Sequence, residues 1–69
     1  MSVYKVIEII GTSSESWEDA AISAVKLAGA SVRDLRVAEV VQQDLDLNDS
    51  GSATFRTKLR VSFKYEGTD

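Results

Sequence analysis

Two-residue periodicity is clearest between Ala53 and Tyr65. There Ala53, Phe55, Thr57, Leu59, Val61, Phe63 and Tyr65 alternate with Thr54, Arg56, Lys58, Arg60, Ser62 and Lys64. Successive side chains of an extended strand point to opposite faces, so the segment predicts a strand with one apolar and one basic face. Leu35 to Leu47 predicts a second long strand, and Asn48-Asp49-Ser50-Gly51 between the two is a turn. An antiparallel hairpin joins them most simply. Nearer the start, Val3 to Ile10 is dense in β-branched and aromatic residues and ends at Gly11, which predicts a first strand.

Between the first and second strands the period changes. From Trp17 to about Ala28, Glu18, Asp19, Ser23 and Lys26 cluster on one side, while Trp17, Ala20, Ala21, Ala24, Leu27 and Ala28 line another. Ile22 and Val25 widen the apolar sector beyond what one small sheet needs, so part of it is expected to face another chain. Ser16 is the expected N-cap, with Glu18 and Asp19 in the first turn where the helix dipole favours carboxylates. Thr12 to Glu15 and Ser16 to Asp19 both imitate a capping box, and Gly29 is the expected stop. No proline or internal repeat interrupts the pattern. The result is a single α+β domain over residues 1–69, in the order β-α-β-β.

Length adds a constraint. Thirteen residues of straight strand span roughly 43 Å, whereas a compact chain of 69 residues has a radius of gyration of about 11 Å. The hairpin must therefore curl around the helix or pair with neighbouring subunits, because long exposed edges invite aggregation. The chain contains neither Cys nor His, so disulfides and Cys/His zinc sites are excluded as stabilising cross-links, and what remains is oligomerisation, with or without a hard metal ion bound through oxygen.

The same composition excludes several chemistries. Without Cys or His there is no Ser-His-Asp triad, thiol nucleophile or CxxC redox pair. No two carboxylates are placed by sequence in a shared cleft, so an enzyme is not expected. Eight Lys and Arg against eleven Asp and Glu give a net charge of −3, which argues against nucleic acid as a partner. The apolar runs are too short to span a membrane, and no signal-peptide core is present. An intracellular, cytoplasmic protein is the simplest expectation.

A register counted from Leu47 opposite Ser52 puts Val37, Glu39, Val41 and Gln43 on one face with Ser62, Arg60, Lys58 and Arg56. Glu39 then lies opposite Arg60 and Gln43 opposite Arg56. The other face, with Ala38, Val40, Leu59, Val61, Phe55 and Phe63, is the natural seat for the helix. The mixed face is either a solvated, lysine-protected surface or one able to hold a polar ligand or a second subunit. Asp44-Leu45-Asp46-Leu47-Asn48 imitates the start of a calcium loop. However, Asp49 stands where the sharp turn needs Gly, and Phe55 where the bidentate Glu belongs. A looser oxygen-ligand site at Asp44 or Asp46 remains open. Trp17 is expected to plug a core or an oligomer interface. Glu15, repeated around a three-fold axis, would line a cation site with oxygen.

Three segments carry a family resemblance. Tyr4-Lys5-Val6-Ile7-Glu8-Ile9-Ile10-Gly11-Thr12-Ser13, then Leu35-Arg36-Val37-Ala38-Glu39-Val40, then Leu59-Arg60-Val61-Ser62-Phe63-Lys64-Tyr65-Glu66 follow the pattern of the dodecins, in order and spacing. The resemblance covers about Val3 to Glu66. It implies an antiparallel three-stranded sheet whose long curled hairpin wraps one helix, and a homododecameric shell that binds or stores ligands without catalysis. Many dodecins bind flavin at two-fold contacts, with an aromatic at the position of Val37 and a Gln at that of Arg56. Val37 removes a stacking surface worth on the order of 1–3 kcal/mol per ring, and Arg56 offers donors but no acceptor. Both changes argue against flavin bound in the usual way.

The sequence resembles more closely the branch described as binding calcium. In some members an acidic residue matched by Glu15 gathers a hydrated cation on a three-fold axis. Asp34, Asp44 and Asp46 are further metal candidates by chemistry. The competing expectations are a degenerate two-fold pocket at Val37, Gln43, Arg56 and Lys58 that takes flavin or another planar anion, and a purely structural oligomer.

Overall fold

The computed structural model describes residues 2–31, 33–48 and 51–64. Four elements follow one another: β1 (Tyr4–Ser13), α1 (Trp17–Ser31), β2 (Leu35–Leu47) and β3 (Ala53–Lys64). The strands form one antiparallel sheet in the order β1-β3-β2, so the strand with the cleanest alternation is the central one. This is the expected α+β, β-α-β-β architecture. The expected last residue of the third strand, Tyr65, lies outside the described residues, as do Glu66 and, in the turn, Asp49 and Ser50.

The helix crosses one face of the sheet, chiefly over β1 and β3. Its start is set by Ser16, whose Oγ accepts the Asp19 backbone N–H at 2.9 Å, as an N-cap does for the third helical residue. The reciprocal half of the box is rerouted: the Asp19 carboxylate accepts from the Ser13 hydroxyl at 2.7 Å, and Ser13 Oγ in turn accepts the Glu15 N–H at 2.9 Å. Glu15 stays in the loop, so the Thr12–Glu15 imitation is not a helix start.

Two glycines play roles other than those expected. Gly11 does not end β1, which continues to Ser13. It lies buried against the helix, where a Cβ would collide with the Ala20 carbonyl oxygen and come within 2.8 Å of the Ala24 Cβ. Gly29 does not stop α1, which runs on to Ser31. The chain reverses instead at Asp34, whose φ of 59° is the left-handed conformation that Asp tolerates better than most residues. At the hairpin, Gly51 takes φ of 82° and donates its N–H to the Asn48 carbonyl at 3.3 Å.

The register holds in the middle of the hairpin and slips at both ends. Glu39 pairs with Arg60 and Val37 with Ser62, as the simple count predicts. Toward the turn, Asp44 pairs with Arg56 and Gln43 with Thr57, because an irregularity between Val40 and Gln42 inserts one residue. A second irregularity lies between Leu35 and Val37. One extra residue turns every later side chain to the opposite face. Gln43 is therefore on the side of buried Thr57, and Gln42 and Asp44 replace Val41 and Gln43 on the mixed face.

Only Ala20, Leu59 and Val61 form a fully buried apolar core among the described residues, with Thr57 beside them. Eleven large hydrophobic side chains there are exposed. They include Leu27 at 75% and Ile22 at 55%, both from the over-wide apolar sector of the helix. The molecule measures 53 × 20 × 17 Å, with a radius of gyration of 14.2 Å against about 11 Å for a compact chain of this length. The strands overhang their own core, as their length predicts.

Candidate functional site

The open face of the sheet is a ladder of rows, each reading β1, β3, β2. Val6, Ser62 and Val37 form one row; Glu8, Arg60 and Glu39 the next; then Ile10, Lys58 and Gln42; then Thr12, Arg56 and Asp44. The basic residues of β3 thus run down the middle, with polar or acidic neighbours on each side except at Lys58, whose β1 neighbour is Ile10. Arg60 binds Glu8 at 2.9 Å and approaches Glu39 at 3.8 Å. These side chains are about half exposed, so water screens the pairs and they contribute little to stability.

Arg56 makes the tighter contact. Its Nε donates to Asp44 Oδ1 at 2.8 Å and its terminal nitrogen to Oδ2 at 3.1 Å, the two-pronged geometry that a guanidinium offers a carboxylate. The Gln42 amide adds a third donor, 3.4 Å from Asp44 Oδ2. Hydrogen bonding from Arg56 holds the Asp44 carboxyl below its ordinary value; desolvation opposes this, and the charges of Arg56 and Lys58 reinforce it. The same hydrogen bond and charge push the Arg56 guanidinium up. Ile10, Gln42, Asp44, Arg56 and Lys58 together line an open hollow of about 80 Å³.

Trp17 connects this end of the hairpin to the helix. Its indole N–H donates to the Asp44 carbonyl at 2.9 Å, and its ring meets Phe55 edge to face with centroids 5.1 Å apart. The Thr57 hydroxyl, fully buried, donates to the Trp17 carbonyl at 2.9 Å, so its burial leaves no polar group unpaired. Trp17 is thus half-buried in its own chain, anchoring the helix start to β2 and β3.

The sequence-predicted metal candidates do not converge within one chain. Glu15 is exposed in the loop before α1, at the Trp17 end of the helix. Asp34 is exposed beyond the other end, where its carbonyl accepts the Lys64 N–H at 3.2 Å. A helix of 15 residues separates those ends by about 22 Å. Asp44 and Asp46 share the open face near the hairpin tip, and both oxygens of Asp44 are engaged by Arg56. Among the described residues, no three acidic side chains are grouped closely enough to hold a metal ion. Of the pocket candidates, Val37, Arg56 and Lys58 share the open face, with Val37 three rows from Arg56, while Gln43 does not. The carboxylate that takes the place expected for Gln43, Asp44, was not legible as such without the inserted residue.

Comparison with known proteins bears on what these faces serve. The chain is 59% identical over 64 residues to the calcium dodecin of Mycobacterium tuberculosis, covering 93% of this chain and 90% of that protein. It superposes with a TM-score of 0.88 on the crystal structure of the calcium-chelating immunodominant antigen calcium dodecin from the same organism, described with a novel calcium-binding site. That match has 54% identity and covers 99% of this chain and 97% of the other. A mutant dodecin from T. thermophilus matches with a TM-score of 0.88 at 32% identity, covering 99% of this chain and all of that one. With the Dodecin family model matching residues 3–66 as well, the chain belongs to the dodecin family.

Proposed function

We propose that the chain is a non-catalytic, calcium-binding protein that assembles as a homododecamer and stores or buffers the ion at subunit interfaces. The observation that carries this reading is the 59% identity to a calcium dodecin, over nearly the whole of both chains. The donor chemistry agrees. A chain without His or Cys offers oxygen ligands only, which suit a hard cation that takes about six to eight oxygens.

The separation of the acidic residues within one chain favours a site shared between copies. Glu15, exposed beside the helix start, is the ligand we assign first, repeated around a symmetry axis. Asp34 and Asp46 are exposed carboxylates that can add to it, whereas Asp44 would have to leave Arg56. The exposed apolar side chains, Ile22 and Leu27 on the helix and Val6 and Val37 on the open face, would supply the contacts between copies. Neither the Val37 surface nor the Arg56–Asp44 pair suits a flavin stacked in the usual way. The proposed compartment is the cytoplasm; among the described residues no helix is long and apolar enough to cross a membrane.

Calcium titration tests the reading. Saturable heat in calorimetry and a melting temperature that rises with calcium are expected, since an ion that binds only the folded assembly stabilises it by mass action. Glu15→Gln should weaken both. No heat and no shift would defeat the calcium assignment.

A further inference from the structure

We propose that Asp44 is a tethered anion seated in a receptor made by Arg56, Lys58 and Gln42, and that it decides the hollow against outside carboxylates and phosphates. The proposal concerns the open face and does not rest on calcium binding.

The donors around Asp44 converge as they would on a bound ligand. Arg56 gives two hydrogen bonds at 2.8 and 3.1 Å, and the Gln42 amide a third at 3.4 Å. Lys58, two residues along β3 on the same face, lines the same hollow and adds a second positive charge. Ile10, half exposed, supplies an apolar wall. Two cations, an amide and an apolar side are a recognition set for a small anion on an apolar body. Here the chain furnishes the anion itself. A tethered partner competes at an effective concentration of about millimolar or more, so a free anion of ordinary affinity is kept out.

The backbone makes the arrangement possible. Without the residue inserted between Val40 and Gln42, neutral Gln43 would stand opposite Arg56 and the guanidinium would be free. In the single chain the Arg56 and Asp44 side chains are 40% and 34% exposed, so the pair borders open space and not packed core. Removing the carboxylate should therefore uncover a site rather than leave a closed core with a void.

Ligand-observed NMR with phenyl phosphate, a phosphate on a flat apolar body, tests this in the assembled protein at low ionic strength. The unaltered chain should show no saturable binding up to about 10 mM. Asp44→Ala, and Asp44→Asn as the variant that keeps the side chain's size, should each bind at least tenfold more tightly. Adding Arg56→Gln to either should abolish the gain. The proposal is overturned if a variant with unchanged circular dichroism and native mass binds no better than the unaltered chain. It is equally overturned if the gain survives Arg56→Gln, or if the unaltered chain already binds as tightly as the variants. A calcium response lost in Asp44→Asn would make Asp44 a metal ligand instead, and would also overturn it.

Discussion

The two faces of the sheet obey different rules although they are built from the same three strands. On the helix side, Leu59, Val61 and Thr57 are sealed by Ala20 and by Gly11, whose missing side chain lets the helix backbone approach. On the other side, Arg56 and Arg60 are held in exposed ion pairs, and Val6, Ile10 and Val37 stay at least half exposed. The first face is closed by its own chain where the helix covers β1 and β3, and left open along β2, where Val40, Leu45 and Leu47 stay exposed. The second is unfinished, and a family of oligomers is where such a face belongs. Stability should therefore be concentrated on the helix side, and assembly and ligand choice on the open side.

Substitutions can break that contrast in order of size. Gly11→Val should have the largest effect, because its Cβ would meet the Ala20 backbone and the Ala24 Cβ, neither of which can swing aside. A loss of about 3 kcal/mol or more is expected, read as failure to fold or a collapsed melting temperature. Leu59→Ala, at a position 1% exposed, should cost about 2–5 kcal/mol in denaturant unfolding, whatever happens to assembly. Val6→Asp should leave helix and strand content intact but lower the native mass, losing about 1.5–3 kcal/mol for each copy that buries Val6. A Val6→Asp protein of unchanged mass would show that the open face is not a contact.

The smallest effect concerns acid. Asp44 titrates below its ordinary value in the folded chain, so its contribution is present above about pH 3.9 and is lost as the pH falls through the lower folded value. Melting curves between pH 6 and 3 should thus fall more for the unaltered chain than for Asp44→Asn, with the difference appearing only below about pH 4. The difference should be small, since solvent screens the pair. Equal slopes would mean that the ion pair does not form in solution.

The central strand was legible because its two-residue period is unbroken from Ala53 to Lys64, and the bounds expected for the second strand, Leu35 and Leu47, are those of β2. The register was legible only in part. Ala38 and Val40 match Val61 and Leu59 under one count, but Leu45 and Leu47 match Phe55 and Ala53 only if one residue is skipped. That conflict between two apolar pairings is the signal for the inserted residue, and a count from the turn alone passes over it. Gly11 was ambiguous because a strand end and a close helix contact select the same residue. That Leu27 and Ile22 are the exposed part of the apolar sector was not legible, because periodicity shows that the helix has more apolar surface than one chain can cover but not which part is left over. The Arg60 pairing with Glu39 was legible from the hairpin. Its contact with Glu8 was not, because it depends on β1 joining the far edge of β3.

Native mass spectrometry, with calcium and again after chelation, decides whether the open face is completed by further copies of the chain. A particle of about twelve times the 7.5 kDa chain is expected, with no folded single chain at micromolar concentration. A stable, folded species of one chain mass would contradict this, because the open face would then be finished without a partner.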